Sequence, residues 1–127
     1  KKGFGVKRAE ATKYKNKNIS KLVAALSDSV ESFHDRFSIP KNSSRAQLLT
    51  RIPIQEEEVY ELGQALLNES LERIAEEATD VLYVAIGTLQ CIDPELVSNA
   101  ITNVIEKNNS KNASTHHINT AGKIVPK

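Results

Sequence analysis

The sequence has 127 residues, a formal net charge of +1, 39% hydrophobic residues and only 5% aromatic residues. That suits one domain with a core of Leu, Ile, Val and Ala, which are helix-packing materials more than β-sandwich materials. No apolar run approaches the roughly 20 residues of a membrane span, no signal peptide is visible, and the single cysteine, Cys91, excludes an internal disulfide. A buried thiol in the reducing cytoplasm is the expectation for Cys91, and the cytoplasm for the chain. No methionine occurs, even at position 1, which numbering from inside a longer chain would explain.

Residues 1–19 open the chain as a basic arm without sustained periodicity. Through Lys21 there are eight bases and one acid, Glu10. A solvated arm is the expectation, with no membrane and no nucleic acid as partner. Residues 20–127 form the expected helical domain. Ser20 is a candidate N-cap for a first helix reaching Phe37, with Leu22, Leu26, Val30, Phe33 and Phe37 on one face. Ser38-Ile39-Pro40-Lys41-Asn42 ends it. Ser43 or Ser44 then caps a second helical stretch to about Leu67, whose apolar stripe is Leu48, Leu49, Ile52, Val59, Leu62 and Leu66. Pro53 either kinks this helix or starts a fresh one after a short turn. Asn68-Glu69-Ser70 is a polar connector. A third helix from Ser70 to Gln90 carries Leu71, Ile74, Ala78, Val81, Ala85 and Leu89. Asp93-Pro94-Glu95 is a strong start for a fourth, carrying Leu96, Val97, Ala100, Ile101, Val104 and Ile105. The remainder reads as an extended tail with no confident strand. Four amphipathic helices with short connections predict an all-α, four-helix bundle-like fold.

The chemistry concentrates in the middle of the chain. From Ile54 to Glu95 there are eleven acids and one base, Arg73. Glu58 with Glu61, and Glu77 with Asp80, are spaced three apart, so each pair shares a helix face. Glu61 and Glu77 lie equally far from Glu69 along the chain, as do Glu58 and Asp80. In an antiparallel helix pair those residues come level, about 12 Å and about 16 Å from the turn at a rise of about 1.5 Å per residue. The four carboxylates are therefore predicted to converge at the rim of the helix–helix contact, with no basic partner on that face. Such a cluster repels itself unless it binds protons or a cation. Oxygen ligands without His or Cys favour Mg²⁺, with Mn²⁺ able to substitute. Glu56, Glu69, Glu72 and Glu76 read as ordinary solvated acids.

Glu57-Glu58-x-x-Glu61 followed by Glu77-x-x-Asp80 resembles the signature of the MazG-type all-α nucleoside triphosphate pyrophosphohydrolases. The flanking elements are similar to the phosphoribosyl-ATP pyrophosphohydrolase-like branch. They are Arg51 before the glutamates, the Asp80–Tyr83–Gly87–Thr88 stretch, Asn108-Asn109-Ser110-Lys111 and Gly122-Lys123. The resemblance implies Mg²⁺-dependent hydrolysis of (deoxy)nucleoside triphosphates to monophosphate and pyrophosphate, of the house-cleaning type. It makes Glu58, Glu61, Glu77 and Asp80 metal ligands and places Glu57, Glu58 and Glu61 in the catalytic machinery, with Glu57 a further ligand or the residue that orients water. Arg51, Asn108, Lys111 and Lys123 become candidate substrate contacts. It also implies a homodimer or homotetramer.

Two alternatives accompany this reading. One is phosphoribosyl-ATP pyrophosphohydrolase itself, although its serine–tyrosine–threonine segment is not found upstream. The other is a non-catalytic helical module that binds nucleic acid through the arm. His34 reads as an ordinary amphipathic position, with a role beside a base as the second option. His116-His117 lacks companions at zinc-ligand spacing.

Overall fold

The computed structural model describes Tyr14 and residues 17–127, so the basic arm lies almost wholly outside the described residues. Helices α1 (Ile19–Arg36), α2 (Arg45–Leu49), α3 (Arg51–Asn68) and α4 (Leu71–Gln90) belong to a first compact unit that ends at Cys91. Helix α5 (Pro94–Asn109) and the strands β1 (His116–Ile118) and β2 (Ile124–Pro126) form a second unit, Ile92–Lys127. The all-α class is as expected. Among the described residues, no helix is long and apolar enough to cross a membrane.

Local side-chain chemistry sets the helix starts. Asn18, not Ser20, caps α1, accepting a hydrogen bond from Lys21 N at 2.9 Å. Ser44 opens α2 with a reciprocal capping box: its hydroxyl accepts from Gln47 N while Gln47 Oε1 accepts from Ser44 N. Thr50 separates α2 from α3, so the second stretch is two helices and Pro53 is the third residue of the new one. The first four N–H groups of a helix have no intrahelical acceptor, so a proline there breaks no helical hydrogen bond. Ser70 caps α4 through Arg73 N, and Asp93 with Pro94 starts α5 as the sequence predicts.

Within the first unit α4 is the central element, packed along α3 and against α1. The α1 contact is tied by Gln90 Nε2 donating to Ser27 O at 3.1 Å and Tyr83 Oη donating to Ser29 O at 3.2 Å. Phe33 meets the edge of Tyr83 at 6.1 Å. Ser43 N donates to Cys91 O at 2.8 Å, closing the loop after α1 onto the end of α4. That loop turns at Ser38 and Asn42, both with positive φ, a conformation to which a short polar side chain such as Asn is suited.

The buried faces differ from the apolar stripes. Val30, Ala65 and Cys91 form the buried hydrophobic core, joined by the polar side chains of His34, Glu58 and Glu77. On α1 the buried face runs from Val30 to His34, one helical turn on, leaving Phe33 and Phe37 exposed. On α3 the correction is larger. Ile52, Val59 and Leu66, seven residues apart and therefore on one face, are 51%, 51% and 61% exposed. The face turned to α4 carries Glu58 and Ala65 instead.

In the second unit α5 contributes no buried residue. The tail closes into an antiparallel hairpin with His116 opposite Pro126, His117 opposite Val125 and Ile118 opposite Ile124. Asn119 Oδ1 accepts from Ala121 N and Lys123 N across the turn, and Gly122 takes φ 84° there. Strands of three residues are too short for alternation to register, so an extended tail was all the pattern could show.

Candidate active site

Helices α3 and α4 run antiparallel from the Glu69-Ser70 connector, and their cross-helix hydrogen bonds fix the register. Arg51 Nε donates to Thr88 Oγ1 at 3.1 Å, Arg51 Nη2 to Val84 O at 3.0 Å, and Gln55 Nε2 to Val81 O at 3.2 Å. One turn beyond Gln55, Glu58 meets Glu77 and Asp80, and one carboxylate oxygen from each lies within 4.8 Å of the others. Glu77 is 1% exposed and Glu58 is 8% exposed. The acids therefore sit in the seam itself, where the pattern placed them at its rim.

Three of the four expected ligands come together in this way. Glu61 follows one turn after Glu58, half-buried and with Oε1 out of solvent contact, but it is not part of that group. Glu57 is exposed. Carboxylate oxygens this close and this buried repel unless positive charge is added, and an all-oxygen donor set suits a hard divalent cation. The cluster fits such an ion through Glu58, Glu77 and Asp80.

A basic residue does reach this face. Arg73 Nη2 donates to Glu77 Oε2 at 2.7 Å, Nη1 to Glu76 Oε1 at 2.7 Å and Nε to Glu69 Oε1 at 3.4 Å. The hydrogen bond to Glu76, with further help from Glu69 and Glu77, raises the Arg73 pKa. The signal was present in the sequence, since Glu69, Glu76 and Glu77 stand four before, three after and four after Arg73 on helical spacing.

At the other end of the seam Arg51, His34, Gly87 and Thr88 pack together. A Cβ added at Gly87 would meet Arg51 Nη2 at 2.7 Å and His34 Nε2 at 2.8 Å. The expected substrate contact Arg51 is thus engaged with α4. His34 is 5% exposed. Its pKa is lowered, first by burial and then by the Arg51 charge, with Asp35 opposing.

The fold therefore favours neutral His34. The unfolded chain binds a proton at a higher pH than the folded one, so the stability this preference contributes is complete above about 6.5, the ordinary histidine value. It is lost as pH falls through the lower folded value. Melting temperatures measured downward from neutral pH should fall below about pH 6.5 in the wild type. The fall should be shallower in His34→Gln. Identical slopes would show that His34 does not contribute.

Asn108, Lys111 and Lys123 belong to the second unit. Asn108 Nδ2 donates to Val104 O at 2.9 Å, and Lys111 Nζ donates to Asn108 Oδ1 at 3.2 Å. Both line an open cleft with His116, His117 and Lys127. Lys123 lies in the hairpin and is not among its lining residues.

A family model described as phosphoribosyl-ATP pyrophosphohydrolase matches residues 20–103, well over half of the chain. The chain belongs to that family. The phosphoribosyl-ATP pyrophosphohydrolase family lies within the MazG-like all-α superfamily, in agreement with the resemblance read from the acidic signature. Membership makes the chain a pyrophosphohydrolase, an enzyme of nucleotide metabolism, and the matched span contains the whole carboxylate cluster. Comparison with curated proteins and with solved structures returned no match.

Proposed function

We propose that the chain hydrolyses (deoxy)nucleoside triphosphates between the α- and β-phosphates, releasing nucleoside monophosphate and pyrophosphate with Mg²⁺ at the α3–α4 seam. The observation that carries this reading is the convergence of Glu58, Glu77 and Asp80 in a buried, all-oxygen cluster. Glu58, Glu77 and Asp80 would hold the ion, with Glu61 one turn away as a candidate fourth ligand. The ion would supply charge neutralisation and Lewis acidity at the phosphate oxygens. Water attacks the α-phosphorus, the bond from that phosphorus to the bridging oxygen breaks, and pyrophosphate leaves with the electron pair. Glu57, exposed beside Glu58, is positioned by sequence to orient the water and accept its proton. Arg51 supports the site by bracing α3 against α4. In the second unit, described by itself, Asn108 and Lys111 line a cleft whose polar and cationic groups suit an anion, and Lys123 lies in the hairpin.

The family match supports a second reading, phosphoribosyl-ATP as the substrate. The two share the same bond cleavage and differ in what the base carries. Pyrophosphate release should be measured for phosphoribosyl-ATP beside the common ribo- and deoxyribonucleotides, with Mg²⁺, with Mn²⁺ and with neither. Turnover of phosphoribosyl-ATP alone would replace the first reading. Turnover unaffected by chelation would remove the metal from both.

A homodimer or homotetramer accompanies this proposal. Ile52, Val59 and Leu66 give α3 an outward apolar stripe, and removing it from water favours a second copy of the chain. Light scattering at micromolar concentration should report a dimer or tetramer, and Val59→Lys should shift it toward monomer. A wild-type monomer would end this part of the proposal.

A further inference from the structure

Arg73 is the one base between Ile54 and Glu95, and it stands against the most buried acid of the cluster. Its guanidinium spans three carboxylates, with 2.7 Å contacts to Glu76 and Glu77 and a longer one to Glu69. The Glu77 side chain is only 2% exposed, so that pair is screened far less than a surface ion pair. Guanidinium is charged at any working pH and its planar fork suits carboxylates. Glu77 accepts from Arg73 through Oε2, and a Glu77 carboxylate oxygen also lies within 4.8 Å of oxygens from Glu58 and Asp80, so the arginine and a cation would draw on the same carboxylate. The arrangement has no counterpart in the solvated acids elsewhere on the helices: it joins the connector residue Glu69, the first turns of α4 and a metal-ligand candidate through one side chain.

We propose that Arg73 is a resident counter-cation of the carboxylate cluster, holding Glu77 in place before a metal ion arrives and thereby lowering the site's affinity for that ion. This rests on the metal reading above. Its sign follows from charge. Arg73 and a divalent cation are both drawn to Glu77 but repel each other. The arginine therefore stabilises the empty seam and weakens the filled one. Removing its charge should do the reverse on both counts.

The test is Mg²⁺ binding by titration calorimetry together with melting temperature, with and without Mg²⁺, for wild type, Arg73→Met and Arg73→Lys. Arg73→Met should melt lower than wild type without metal and bind Mg²⁺ more tightly, on the order of tenfold for one unit charge acting through partly solvated surroundings. Its gain in melting temperature on adding Mg²⁺ should exceed the wild-type gain. Arg73→Lys keeps the charge but not the fork, and should bind Mg²⁺ within about threefold of wild type. Arg73→Met that folds only with Mg²⁺ present would support the proposal, and Arg73→Lys then carries the affinity comparison. Equal or weaker Mg²⁺ binding by Arg73→Met, or much weaker binding by Arg73→Lys, would overturn it. Wild type that binds no Mg²⁺ would bring down the metal reading as well, whereas wild-type binding unchanged in Arg73→Met would remove only the role given to Arg73.

Discussion

Asparagine in place of Asp80 should lower pyrophosphate release at least a hundredfold while leaving the helices folded. Asn is nearly the same size as Asp but carries no charge, so it keeps the volume of the seam and withdraws one anionic ligand. Asp80 is half-buried and offers an oxygen within 4.8 Å of oxygens from Glu58 and Glu77, so the substitution acts within the cluster itself. Asp80→Asn also leaves the Arg73–Glu77 ion pair in place. Circular dichroism should be unchanged, and the stabilisation that Mg²⁺ gives the wild type should shrink. A ligand present at a hundred times its Kd stabilises a protein by about 2.7 kcal/mol, so even partial loss is measurable as a melting shift. Undiminished turnover by Asp80→Asn would mean that the cluster is not the catalytic centre.

Alanine at Gly87 is the second large effect, and here two terms oppose each other. Alanine in a helix interior gains up to about 1 kcal/mol over glycine. Against this, the new Cβ would stand 2.7 Å from Arg51 Nη2 and 2.8 Å from His34 Nε2. Arg51 Nη2 can withdraw by giving up its hydrogen bond to Val84 O, worth about 1.5–3 kcal/mol for a charged donor. His34 is buried and has little room to move. The packing cost wins, and Gly87→Ala should destabilise by about 1–2 kcal/mol net. For a unit of this size that is a melting decrease of roughly 5–10 °C. Gly63 is the matched control, because a Cβ there meets nothing within 4 Å. Gly63→Ala should be neutral or slightly stabilising. If both variants melt alike, close approach at Gly87 is not what its helix requires.

The contrast between these glycines shows how far the sequence reached. Both sit within helical patterns, and nothing in the spacing separates them. Gly87 is constrained only because α1 and α3 bring His34 and Arg51 onto the same turn of α4. The carboxylates were more legible. Helical rise and equal distance from the connector brought Glu58 level with Asp80 and Glu61 level with Glu77 without knowledge of any other contact, and the structure gathers Glu58, Glu77 and Asp80. The same arithmetic placed Glu61 with them, yet its oxygens are not part of that group. The acidic pattern predicts no basic partner on that face and a solvated Glu76, although the spacing allows Arg73 to pair with Glu76 and Glu77 as the structure shows.

By itself the sequence determined the helical segments and the start at Asp93, offered Ser43 or Ser44 for the second stretch, and set the connector and the level arrangement of the acids. These depend on capping, proline placement and helical rise, all set within a few residues along the chain. The tertiary structure decided which faces are buried. It turned Glu58 and Glu77 inward while Ile52, Val59 and Leu66 face out, and it engaged Arg51 with α4. Those outcomes depend on how each helix is rotated against its neighbour, which hydrophobic periodicity estimates only when the apolar face meets its own chain. In α3 the inward face carries Glu58 beside Ala65 while Ile52, Val59 and Leu66 face out, so the pattern that located the acids also mistook where the core would lie.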